Sequence, residues 1–182
     1  GTPTHRRGAR DAGGARGPAD GKGAWDRLKA AGKAERAARR PTDESTAASL
    51  LSGIKAGQPA LTRAMALQRK ASSVGFDWND PRAVLHKIRE EADEIEAALD
   101  GGDKEELAAE TGDLMFALVN LARHVGADPE AALRGTNAKF ERPFAYIERT
   151  LAANGRSLQG ATLAEMEPLG YAARGRKGPA HP

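Results

Sequence analysis

Lys-Ile-Arg-Glu-Glu-Ala-Asp-Glu-Ile-Glu-Ala-Ala-Leu-Asp-Gly-Gly-Asp-Lys-Glu-Glu-Leu-Ala-Ala-Glu-Thr-Gly-Asp, residues 87–113, is the stretch whose reading decides the fold. It places Glu91 and Glu94 on one predicted helix and Glu110 and Asp113 on the next, joined by the short turn Asp100-Gly101-Gly102-Asp103. Short connections make neighbouring helices antiparallel. Residues 91 and 113, and residues 94 and 110, are each symmetric about Gly102, so the two acidic pairs face each other at equal heights.

At about 100° per residue, the rotation of each helix follows from its apolar stripe. Val84, Ile88, Ala92, Ile95 and Leu99 define the stripe of the first helix; Leu107, Leu114, Leu118, Leu121 and Val125 define that of the second. Glu91 and Glu94 fall roughly 60° and 120° to one side of Ile88, and Glu110 and Asp113 roughly 40° and 100° to one side of Leu114. Each pair is i, i+3 and makes one patch bordering its stripe. Glu90, Asp93 and Glu105 point further outward.

Acidic residues on amphipathic helices commonly form only a solvated face. Against that, the 33 residues from Pro81 to Asp113 hold 11 acidic and 4 basic side chains. Two unit charges about 5 Å apart at an effective dielectric near 20 repel by roughly 3 kcal/mol. Carboxylates clustered at a core edge therefore require a cation. An all-oxygen donor set suits a hard divalent ion, Mg²⁺ first and Mn²⁺ or Ca²⁺ next.

Outward from this stretch, the other helices announce themselves by their ends. Pro59 to Val74 carries Leu61, Met65, Leu67, Ala71 and Val74 and stops at Gly75. Asp80 and Pro81 suit an N-cap and a first helical position, and Asp103 with Glu106 a capping pair. Asp128-Pro129 opens a further helix with the stripe Leu133, Phe140, Phe144, Ile147 and Leu151, closed by Asn154-Gly155. No period-2 strand is found, so the fold class is all-α: a four-helix bundle. Its Ala-rich faces make a thin core for one subunit, and a homodimer is expected to complete it. Met65 and Met115 read as core filler.

The first third differs in kind. Residues 1–40 carry a net +7 of the chain's +3, leaving −4 for the remainder. Residues 1–56 read as a mostly disordered basic tail and linker, with a possible short helix at 24–40 around Trp25 and Leu28. No aromatic residues interleave with its arginines, so nucleic acid is not favoured as a partner. There is no cysteine, no signal peptide and no apolar run able to span a bilayer, so a cytoplasmic protein without a membrane partner is the default expectation. The chain starts with Gly1 in place of Met, which suggests a fragment or a processed chain.

Glu90-Glu91-x-x-Glu94, fifteen intervening residues, and Glu110-x-x-Asp113 resemble the signature of the MazG-type nucleoside triphosphate pyrophosphohydrolases. So do the run Gly112 to Arg123 and Asn137-Ala138-Lys139-Phe140-Glu141-Arg142. The likeness covers roughly residues 57–166, with 57–155 as the MazG-like catalytic domain and 156–182 as a partly disordered extension. Pro59-Ala60-Leu61 and Val74 to Trp78 resemble the entry to the second of two tandem domains, and Trp25 with its following lysines resembles the end of the first.

The resemblance implies Mg²⁺-dependent hydrolysis of a nucleoside triphosphate to monophosphate and pyrophosphate in nucleotide-pool housecleaning, with Mn²⁺ as a substitute. It makes Glu91, Glu94, Glu110 and Asp113 the metal ligands and catalytic carboxylates, with Lys87, Glu90, Asn120, Lys139 and Arg142 toward the substrate. One carboxylate would take the proton of the attacking water. Asn120 either contacts nucleotide or satisfies neighbouring polar groups, His124 suits the dipole at a helix end, and Trp78 either plugs the helix entry or stacks on a base. Pro143 stands where the family commonly has a second basic residue, removing a phosphate contact and kinking or splitting its helix. The alternatives are a related all-α pyrophosphatase acting on dUTP, dCTP or phosphoribosyl-ATP, and a catalytically weak dimerisation or regulatory domain.

Overall fold

The computed structural model describes residues 18–38 and 49–175, and every regular element among them is helical. The basic segment before residue 18, residues 39–48 of the expected tail and linker at 1–56, and the tail from 176 lie outside the described residues. The helices are α1 (Pro18–Ala38), α2 (Ala60–Ser72), α3 (Pro81–Gly101), α4 (Lys104–His124), α5 (Pro129–Ala153) and α6 (Leu163–Ala173). A 3₁₀ turn, Leu158–Gly160, precedes α6.

Local chemistry sets the ends of the central helices. The Asp80 carboxylate accepts from the Arg82 amide at 2.8 Å, with Pro81 at the first helical position. Asp103 caps α4 by accepting from the amides of Glu105 and Glu106, at 2.9 and 3.2 Å. Asp128 does the same for α5 through Ala131. Between α3 and α4 the chain reverses at Gly102, whose φ of 70° lies in the left-handed region that glycine adopts without a Cβ penalty. The reversal leaves α3 and α4 antiparallel and in contact along their length.

The chain forms two compact units, Gly1–Val125 and Gly126–Pro182, so the 57–155 span runs across their boundary. In the first, α2 packs on α4, and the Gln68 side-chain amide donates to the Phe116 carbonyl at 2.8 Å. Met65, Val84, Ala98, Ala117 and Val119 are its buried apolar side chains. In the second, α5 packs on α6 around Ile147 and Leu151. Thr162 and Glu165 form a reciprocal capping box at the start of α6, and Arg156 grips Glu165 with both terminal nitrogens.

The sequence-based rotation of the helices needs correction. On α3 the buried positions are Val84, Lys87, Glu91 and Ala98, while Leu99 of the expected stripe is 60% exposed. On α4 Leu118 is exposed, as is Val125 just past its end, and Met115, expected in the core, is 56% exposed. Leu133, Phe140 and Phe144 of the α5 stripe are exposed as well. The reason is coverage: the side of the α3–α4 hairpin that becomes buried is the one facing the acidic groups and α2, not the most apolar one. Nor does Pro143 split its helix. α5 runs unbroken through it with the ring buried, and the loss of one amide donor is tolerated within a helix anchored by Ile147 and Leu151.

Candidate metal centre

The equal-height argument for the two acidic pairs is realised in three dimensions. One carboxylate oxygen each from Glu91, Glu94 and Glu110 lies within 4.8 Å of the others. All three, with Asp113, surround the ammonium of Lys29 on α1. Its Nζ is 3.0 Å from Glu91, 2.8 Å from Glu94, 2.8 Å from Glu110 and 3.1 Å from Asp113. The cation that these four carboxylates require is thus supplied by the chain itself. Burial alone would lower the ammonium's pKa, but its hydrogen bonds, that to Glu110 foremost, hold it well above the ordinary lysine value.

The four carboxylates differ in exposure. The Glu91 side chain is 1% exposed, Glu110 13%, Asp113 28% and Glu94 46%, a gradient from the floor of the cluster to its mouth. Lys87, one turn before Glu91, is nearly as buried, its Nζ 2.9 Å from the second Glu91 oxygen and 3.4 Å from Asp26. Desolvation would depress the Lys87 ammonium, yet the Glu91 contact raises it above the usual value. Glu90 lies beside this pair, 3.7 Å from Lys87 and 3.4 Å from His86. A cavity of about 530 Å³ adjoins the cluster, lined by Lys29, Lys33, Glu94, Glu106 and Glu110.

Other expected site residues sit elsewhere. Asn120 is buried, its side-chain oxygen accepting from Arg123 at 3.2 and 2.6 Å. Arg123 also donates to Asp77 at 2.9 Å, and His124 lies 3.1 Å from the same carboxylate. Desolvation would raise the Asp77 pKa, but Arg123 and His124 pull it below 3.8. This network ties the 76–80 loop to the end of α4. Trp78 faces Trp25 of α1 at 6.2 Å, tilted, and Trp25 stacks on Phe116 at 5.1 Å and 9°. Lys139 and Arg142 belong to the second unit, where they line a cavity of about 740 Å³ with Arg149, Arg174 and Tyr146.

Sequence reasoning missed Lys29, Asp26 and the pairing of Arg123 with Asp77. A signal for the first was present: Trp25, Lys29 and Lys33 stand at i, i+4 and i+8 and so share one face of α1.

The donor set fits a hard divalent cation. Four carboxylates from two helices converge on one position, a positive group occupies it, and no nitrogen or sulfur ligand competes among the four.

Comparison with known proteins adds an independent line. The phosphoribosyl-ATP pyrophosphohydrolase family matches residues 59–139. Nucleoside triphosphate pyrophosphohydrolase of Escherichia coli K12 is 41% identical over 147 residues, covering 80% of this chain and 52% of the relative. Nucleoside triphosphate pyrophosphohydrolase/pyrophosphatase MazG of Thermotoga maritima is 40% identical over 117 residues, covering 64% and 45%. The chain therefore spans about half the length of the curated relatives it matches.

Proposed function

We propose, from the premise that this chain belongs to the MazG-type nucleoside triphosphate pyrophosphohydrolases, that it hydrolyses nucleoside triphosphates to the monophosphate and pyrophosphate. The observation that carries the reading is the convergence of Glu91, Glu94, Glu110 and Asp113 on one cation position. These four would hold Mg²⁺, or Mn²⁺ in its place. When bound, the ion screens the polyphosphate from the carboxylates and polarises the phosphoryl oxygens.

The chain's own residues account for the rest. Lys87 is committed to Glu91 and Asp26 in this structure, so its part is to fix the deepest ligand before it meets any phosphate. Glu90, beside it, steadies that lysine. Asn120 acts by holding Arg123 and, through it, the loop that carries Trp78. Lys139 and Arg142, exposed on α5, belong to the second unit, where they form a cationic surface of their own with Arg149 and Arg174. In the reaction, a water oxygen bonds to the α-phosphorus and the bond to the bridging oxygen breaks. The water proton passes to a carboxylate of the cluster and pyrophosphate leaves.

The exposed Leu99, Met115 and Leu118 on the α3–α4 hairpin favour a homodimer in which a second copy covers them. The family match over residues 59–139 supports a second reading, with phosphoribosyl-ATP as substrate and the same bond broken. A panel of NTPs, dNTPs and phosphoribosyl-ATP, with and without Mg²⁺, separates the two. Metal-dependent pyrophosphate release, lost in Glu94→Gln, is the expected result. Release of orthophosphate with a diphosphate overturns the proposal. Nucleotide binding without turnover moves the assignment to a regulatory domain.

A further inference from the structure

We propose that α1 is a built-in competitor of the divalent ion, with Lys29 as a displaceable plug in the carboxylate cluster; this rests on the metal-site reading above. The ammonium lies 2.8–3.1 Å from the four carboxylates that would bind the ion. A Mg²⁺ ion at about 2.1 Å from such oxygens occupies the same space, so the two exclude each other.

α1 is held over the site by contacts to both sides of it. Trp25 stacks on Phe116 of α4, Asp26 lies 3.4 Å from Lys87 of α3, and Lys33 lies 3.8 Å from Glu106 of α4. The same helix forms a wall of the cavity beside the cluster through Asp26, Lys29 and Lys33. Its departure therefore uncovers the ligands and widens the space for a polyphosphate in one movement. The anchorage is light. Leu28 is 57% exposed, and the ion pairs that flank Lys29 on α1 are long, 3.4 Å for Asp26 with Lys87 and 3.8 Å for Lys33 with Glu106. A doubly charged ion facing four carboxylates can overcome such a plug, whereas a site without an ion keeps it. A cation thus faces the cluster in both states. Apparent metal affinity is reduced by the fraction of molecules with the plug in place.

The test uses the whole chain and Mn²⁺ as probe. Titration calorimetry of wild type, Lys29→Met and Trp25→Ala should show both variants binding Mn²⁺ about tenfold more tightly than wild type. Trp25→Ala changes no charge, so it separates displacement of a helix from mere removal of a positive group. In wild type, saturating Mg²⁺ should shift the tryptophan emission to the red as Trp25 leaves Phe116, and Trp25→Phe should abolish that shift. Equal Mn²⁺ affinity in wild type and Trp25→Ala, with unmoved emission, overturns the plug while leaving the metal site standing. Absence of Mn²⁺ binding in all three proteins overturns the metal site and the plug together.

Discussion

At the scale of single residues, burial ranks the four carboxylates. Glu91 is fully buried and is the partner of the buried Lys87. Glu91→Gln leaves that ammonium without its main counter-charge and should lower unfolding stability by about 3 kcal/mol in urea titration. Glu94, with nearly half its side chain in solvent, should cost less than about 1 kcal/mol on the same change. Asp77 offers a pH test. Its folded-state pKa lies below the ordinary 3.8, so its stabilisation is complete above that value and is lost as pH falls through the depressed one. Asp77→Asn should lower stability at pH 7 by about 1–2 kcal/mol and flatten the acid limb of the stability–pH curve. The carboxylates and their heights were legible in the sequence because a short turn fixes both. Lys29 was not, because its role depends on where a helix from a basic, weakly apolar segment comes to rest.

At the scale of elements, the starts and stops of α2 to α5 were legible because caps are local chemistry. Asp80-Pro81, Asp103 and Asp128-Pro129 each do in the structure what their side chains allow. Asp103→Ala should cost about 1 kcal/mol by loss of two amide acceptances. Gly102→Ala should also cost about 1 kcal/mol, through its positive φ, even though open space surrounds the added methyl. Both are measured by thermal or urea unfolding. α6 escaped the reading because Pro168 and Gly170 look like breakers. Yet Thr162 and Glu165, three apart, were the capping-box signal for its start. Helix rotation was less legible than helix ends. It depends on which neighbour covers which face, and the acidic side of α3 is covered while Leu99 is not.

At the scale of the whole molecule, Leu99, Met115 and Leu118 are exposed apolar side chains on the α3–α4 hairpin. The proposed homodimer predicts twice the chain mass in light scattering, and Leu118→Arg should shift it toward the monomer. A monomeric wild type at high micromolar concentration contradicts the dimer. The all-α class was legible from the absence of period-2 alternation. The division into two units was not, since Gly126 reads only as a helix stop. The most direct test of the central claim, a carboxylate cluster serving attack at the α-phosphorus, is ³¹P NMR of a nucleoside triphosphate turned over in ¹⁸O water, with and without Mg²⁺. The account predicts Mg²⁺-dependent pyrophosphate with the heavy oxygen in the monophosphate. Heavy oxygen in the pyrophosphate, or orthophosphate as product, contradicts it.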